Sequence, residues 1–137
     1  MNFRKHSGRM LRHLFSIPFI YAMLFPIVML DVTIELYHRV CFSLYGLPYL
    51  VRKNYIKIDR HKLKYLNWYE KINCTYCSYA NGFFAYCVAI AAETEKYWCG
   101  IKHQARPGFH EPAHHKTFLK YGDEKTFNKK FGYPKRK

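Results

Sequence analysis

Apolar and charged positions divide the chain into four stretches. Residues 1–13 form a basic opening with Arg4, Lys5, Arg9 and Arg12, and residues 14–51 are apolar with proline interruptions. Residues 52–103 mix apolar and polar positions at helical spacing, and residues 104–137 have no apolar periodicity. The uncharged run from Leu14 to Leu30, LFSIPFIYAMLFPIVML, would reach roughly 25 Å as a helix, which is marginal for crossing a bilayer. Pro18 and Pro26 each remove a backbone donor and favour a bend. After Asp31–Arg39 a second apolar run, Val40–Val51, carries Gly46 and Pro48. The pattern predicts a membrane-associated segment that is re-entrant, or a hairpin of two short helices with Asp31 near the bend. A buried amphipathic helix of a soluble protein is the plainer alternative.

Further along, HKLKYLNWYEKIN over His61–Asn73 places Leu63, Leu66, Trp68 and Ile72 at roughly helical spacing. Tyr79-Ala-Asn-Gly82 has turn residues, and a second helix free of Gly and Pro is predicted from Phe83 to about Cys99. The fold class expected is mainly α: an N-terminal membrane-associated helical segment, a small helical hairpin with a Cys/His cluster, and an extended basic tail. A hairpin turning at Asn81 would bring Cys74 and Cys77 toward Cys87, Glu70 toward Glu93, and His61 toward Cys99 and His103.

The chain has a formal charge of +14, from 23 Lys and Arg against nine Asp and Glu. That balance favours an anionic partner, whether lipid headgroups, nucleic acid or an acidic protein. At 137 residues one domain is the default. Thirteen Tyr, 11 Phe and two Trp suit a membrane interface, an RNA-stacking surface or ordinary core packing. Basic residues precede the apolar region and follow it at Arg52, Lys53, Lys57, Arg60, Lys62 and Lys64, so both flanks ask to be cytoplasmic. The expected location is the cytoplasmic side of a cell inner membrane. The apolar run ends at Asp31 without a small-residue cleavage site, so the segment reads as retained.

The chemistry lies in four residues. Cys74-Thr-Tyr-Cys77 and Cys99-Gly-Ile-Lys-His103 give a C-x2-C-x21-C-x3-H pattern whose thiols and imidazole are zinc or iron ligands. Zinc is the expected metal, with iron or an iron–sulfur centre the alternative, because the same donors suit both. A helix from Phe83 to Trp98 would keep Cys77 and Cys99 apart. A shared site therefore needs that helix to break or start late, the pairs to meet across a homodimer, or two separate sites. Asp59 or Glu95 could add a ligand. Structural thiols and a redox C-x-x-C pair are the other readings. Cys41 and Cys87 read as inert buried thiols.

Three further patterns are weaker. Asp31, Glu35 and His38 share a helical face, and Glu35-Leu-Tyr-His38 has the E-x-x-H spacing of carboxylate-bridged di-metal bundles, with Glu70 and Glu93 as possible companions. A solvated or headgroup-facing stripe is the plainer account. Glu93 and Glu95 sit near a helix C-terminus, where the dipole disfavours them, so partners are expected, Lys96 and Lys102 being the simplest. His110-Glu-Pro-Ala-His114-His115 has an H-x-x-x-H-H spacing, but Pro112 interrupts the helix that would unite it, and the region reads as a solvated tail.

The strings DRHKLKYLNWYEKINCTYCSYANG (Asp59–Gly82) and TEKYWCGIKH (Thr94–His103) resemble a family of small uncharacterised bacterial proteins with C-x-Y-C-x-Y-A-N-G and Y-W-C-P-I-K-H blocks. The resemblance covers roughly residues 30 to 105, and it implies that the Cys and His blocks belong together. Gly100 stands where that family has Pro, which leaves the last turn less rigid. Catalytic triads, phosphate-cradling glycine loops and dinucleotide fingerprints are absent. The expectation is a non-enzymatic membrane-associated metal-binding accessory or assembly protein that docks on a larger membrane complex. An iron-dependent redox protein is the first alternative, and a basic RNA- or ribosome-associated protein the second.

Overall fold

The structure is a computed structural model that describes residues 7–132. It is mainly helical, with no β-strand among the described residues. Helix α1 is Met10–Ala22, α2 is Leu24–Tyr45, α3 is Trp68–Trp98 and α4 is Glu124–Phe131. Short 3-10 turns cover Ser7–Arg9, Arg52–Asn54, Arg60–Lys62 and Ala113–Thr117. Two compact units divide the chain, Met1–Val88 and Ala89–Lys137. The boundary falls inside α3, so the second unit runs across residue 103, where the sequence suggested that a tail begins.

In the first unit α1 and α2 follow one another with only Met23 between them. Pro26 explains the interruption, because it has no N–H to donate to the carbonyl of Ala22. The ladder resumes on either side: Met23 N–H donates to Phe19 O at 3.3 Å and Ile27 N–H to Met23 O at 3.2 Å. Met23 itself stays helical, at φ −64° and ψ −17°. Pro18 is accommodated within α1. Chain direction does not reverse at Asp31, which lies inside the unbroken α2, so the expected hairpin bend there is not found. The helix ends later, at Gly46, whose φ of +66° is a left-handed cap. Leu47 N–H reaches back to Phe42 O at 2.9 Å, and Pro48 follows.

Helix α3 overturns a second expectation. It passes through Tyr79–Gly82 without turning, so residues on either side of Asn81 do not become hairpin neighbours. Gly82 is present for a different reason. A Cβ there would lie 2.7 Å from the Tyr55 carbonyl oxygen and 2.8 Å from Ile56 Cα, so the glycine lets the 55–56 backbone cross the helix closely. Asn81 turns its amide inward along the helix and donates to Cys77 O at 2.8 Å. At the start of α3, Glu70 reaches back to accept the Asn67 N–H at 3.0 Å, half of a capping box. The first unit buries Ile27, Phe42, Leu66, Ala80, Phe83 and Tyr86 together with the polar side chains of His38 and Glu70. Nearer the N-terminus, Tyr21 donates to Asn73 Oδ1 at 2.7 Å and its ring meets Tyr76 at 5.5 Å.

The second unit folds around the end of α3. Gly100, at φ +60°, is a left-handed cap whose N–H donates to Glu95 O at 3.1 Å. Proline cannot adopt that φ, so the glycine at this position is a cap rather than a loosened proline. The chain then forms a parallel bridge between Ile101 and Leu119, with Lys102 N–H to Leu119 O at 2.8 Å and Leu119 N–H to Gly100 O at 2.9 Å. The region read as an extended tail therefore holds a bridge, a 3-10 turn and α4. Asp123 caps α4 by accepting the Thr126 N–H at 3.1 Å. A cleft of about 350 Å³ lies between Ile101, Leu119 and Phe127.

Candidate functional site

Two polar clusters stand out, one in each unit. The first is the α2 face that carries Asp31, Glu35 and His38. Asp31 takes a bidentate pair from the Arg52 guanidinium and a hydrogen bond from the Tyr79 hydroxyl at 2.7 Å. Burial and the Asp31 carboxylate push the Tyr79 phenol up to about 12, so it stays a donor. Glu35 accepts from Arg39 and Tyr49, each at 2.8 Å, and from Tyr86 at 3.2 Å.

His38 is fully buried, stacked on Tyr49 at 3.9 Å and edge-on to Phe42 at 4.4 Å. Its Nε2 accepts the Leu50 N–H at 3.2 Å, and its Nδ1 lies 2.8 Å from the Tyr86 hydroxyl. Because Nε2 accepts, Nδ1 carries the proton in the neutral ring and donates to Tyr86, which in turn donates to Glu35. His38 is buried while Asp31 and Glu35 are half-buried, and each is engaged by the protein's own donors, so the stripe expected to face solvent or headgroups is pinned to the fold at its edge. Among the described residues Glu35, His38 and Glu70 form no metal-ligating group. Glu70 is engaged at the Asn67 N–H, and Glu93, in the other unit, pairs with Lys96.

The second cluster is in the second unit. Among the described residues one group of three or more potential ligands gathers, Glu95, His103 and His115, whose donor atoms lie within 4.8 Å of one another. Glu95, one turn before the end of α3, accepts from His114 Nε2 at 2.7 Å and from His115 Nε2 at 3.1 Å. The His114 hydrogen bond, joined by that of His115 and opposed by partial burial, holds the Glu95 carboxyl below the usual carboxylate range. The partner of Glu95 is thus this histidine pair. Lys102 pairs instead with Glu111 at 2.8 Å, which lowers the Glu111 carboxyl.

His115 is 1% exposed and stacks on Phe118 at 4.7 Å. Its Nδ1 is buried without a hydrogen-bond partner, the one such side-chain atom among the described residues. His103 is exposed, with its ring 5.6 Å from that of His115 and 5.7 Å from Phe109.

Local sequence explains the placement. Pro112 was expected to scatter the histidines by breaking a helix. It opens the 3-10 turn instead: its carbonyl accepts the His115 N–H at 3.0 Å, which fixes His114 and His115 side by side. The Ile101–Leu119 bridge then holds the stretch containing His103 beside that turn.

Of the four ligands expected from the sequence, only His103 joins this group. Cys74 and Cys77 lie on α3 in the first unit, half-buried and exposed respectively, whereas Cys99 follows α3 in the second unit and is exposed. The stretch of α3 from Cys77 to Trp98 rises roughly 30 Å and the helix neither breaks nor starts late, which leaves a meeting across a homodimer or two separate sites as the ways for these cysteines to hold a metal. Cys41 and Cys87 are half-buried, and burial raises the Cys87 thiol, in keeping with inert packing. Glu95 was named as a possible further ligand. His115 was missed, and its only signal was the H-x-x-x-H-H spacing.

Comparison with family models, with curated proteins and with solved structures gives no match, so the functional reading rests on these residues.

Proposed function

We propose that this chain is a small membrane-anchored accessory protein that displays its folded part at the cytoplasmic face of an inner membrane, for docking on a larger membrane complex. One observation carries the reading. The Leu11–Tyr45 segment is helical, and only 6% of its most apolar window is buried by the protein.

Phe15, Phe19 and Phe25 are 73%, 77% and 73% exposed, and Leu14, Ile17, Ile20 and Met23 are exposed as well. At 100° per residue these positions point to every side of the helix, not to one stripe. A helix lying flat on a membrane presents one apolar face, whereas here the protein's own core meets the side of Tyr21 and Ile27 and the exposed apolar side chains on the other sides are left for lipid. The charged positions Asp31 and Glu35 come after the uncharged run, and their side chains are taken up by the polar seam. No lipid-facing charge is therefore needed between Leu14 and Leu30.

Charge and thiols support the cytoplasmic side. Seven Lys and Arg, from Arg39 to Lys64, follow the run closely, against four before it, which favours a cytoplasmic C-terminal side. Five unpaired cysteines suit a reducing compartment. Cys77 and Cys99 are exposed and serve as native topology reporters. The protein should stay with membranes after alkaline washing. A membrane-impermeant maleimide should label it only after the inner membrane is opened. Release by alkali would sink the anchor, and labelling of intact spheroplasts would reverse the orientation. Co-purification of integral subunits in mild detergent tests the docking role.

A further inference from the structure

We propose that Glu95, His103 and His115 form a binding site for one divalent transition-metal ion, with His114 as the residue that positions the Glu95 carboxylate. The inference is independent of the membrane reading and moves the metal from the cysteines to an imidazole and carboxylate set.

Four observations converge on it. First, the donor set is two imidazoles and one carboxylate, which suits zinc with an open position and equally suits ferrous iron. Second, the donor atoms already lie within 4.8 Å of one another. Ligands of one tetrahedral ion, bonded at about 2.0–2.1 Å, are roughly 3.3 Å apart, so the group must close by an ångström or so. His103 is exposed and can swing in, while buried His115 and hydrogen-bonded Glu95 supply the fixed side.

Third, His115 is satisfied on one ring nitrogen only. Its Nε2 meets Glu95 and its Nδ1 is buried without a partner. The ion takes the place of the proton between Nε2 and Glu95, whose 3.1 Å separation already matches that of two ligands of one ion, and the ring's remaining proton then sits on Nδ1, which no other group occupies. Fourth, Glu95 is oriented before any ion arrives, because His114 at 2.7 Å fixes one carboxylate oxygen and leaves the other directed at His115. Glu111, through its pair with Lys102, adds a second carboxylate to the same unit. The His38 cluster serves as an internal contrast, since both of its imidazole nitrogens are already used.

The test uses the untagged full chain in mild detergent, stripped by chelator and then titrated with Zn(II) or, without oxygen, with Fe(II). Mass spectrometry of the desalted protein gives stoichiometry, and competition with a chromophoric chelator gives affinity. One equivalent of either ion is expected, and the tighter of the two identifies the metal. His103→Ala is the decisive variant because His103 is exposed and its loss should leave far-UV circular dichroism unchanged. It should weaken binding by more than ~100-fold, and Glu95→Gln likewise. His114→Ala should cost roughly 10–100-fold, the range for an outer partner. The double variant Cys74→Ser with Cys77→Ser should bind like the parent chain. The proposal is overturned if the folded protein takes up neither ion, or if His103→Ala binds as tightly as the parent.

Discussion

The two histidine clusters differ in one respect that decides what each can do. His38 has both ring nitrogens hydrogen-bonded, lies against Phe42, Tyr49 and Tyr86, and sits in a seam where Asp31 and Glu35 are each met by two or three donors. His115 is just as buried and also stacked on an aromatic ring, yet one of its nitrogens has no partner. A saturated buried network specifies structure and offers nothing to a ligand, because every lone pair and proton is committed. An unsaturated one is not locked in this way: with Nδ1 uncommitted, the His115 ring can take its proton there and give Nε2 to an ion. Burial alone would have ranked the two histidines equal; counting partners separates them.

Substitutions can break this contrast, beginning with the largest effect. His38→Ala should cost about 3–4 kcal/mol of stability, because it opens a cavity among aromatic rings, strands the Leu50 N–H and takes one of the two partners of the Tyr86 hydroxyl. Chemical unfolding in detergent, followed by circular dichroism, would show it as a lowered midpoint. Gly82→Ala should cost about 1–3 kcal/mol, since the new methyl meets the Tyr55 carbonyl and Ile56 backbone, neither of which can rotate away. A neutral result there would mean that the backbone crossing at residues 55–56 is looser than described.

His115→Phe sharpens the comparison from the other side. It gives up one hydrogen bond but keeps the stack on Phe118 and removes the unpartnered nitrogen, so the stability change should stay within about 1 kcal/mol. A loss as large as that of His38→Ala would make His115 structural.

The smallest effect concerns Tyr79. Its phenol is raised from 10 to about 12, so the protonated form is the one that the folded state favours. The associated stability is fully present below pH 10 and is lost as pH rises through 12. The ultraviolet difference spectrum between the parent chain and Tyr79→Phe should therefore show a tyrosinate transition near 12. A transition near 10 would mean that Tyr79 is not held against Asp31.

Much of this was legible in the residues themselves. Helical content followed from spacing, the long apolar segment from the absence of charge over Leu14–Leu30, and the shared face of Asp31, Glu35 and His38 from their positions at i, i+4 and i+7. Gly82 and Pro112 misled because each has two physical uses. Glycine marks turns, but it also marks places where another backbone passes close, and only the tertiary contact with Tyr55 tells these apart. Proline ends helices, but it also starts 3-10 turns, and here that second role sets His114 and His115 side by side. The cysteine pattern leaves one shared site, a site across a dimer and two separate sites open, because local spacing carries no information about whether the intervening helix breaks. Continuous helix through Asn81 puts Cys74 and Cys77 in one unit and Cys99 in the other. His115 could not be ranked above other tail histidines without the Ile101–Leu119 bridge, a pairing that no local pattern announces.

The most direct measurement is imidazole nitrogen NMR of the full chain in detergent during a Zn(II) titration, with resonances assigned through His38, His103 and His115 substitutions. The account predicts that the His103 and His115 signals move together and saturate at one equivalent while His38 stays fixed. Stationary His103 and His115 signals, or a response at His38 instead, would contradict it.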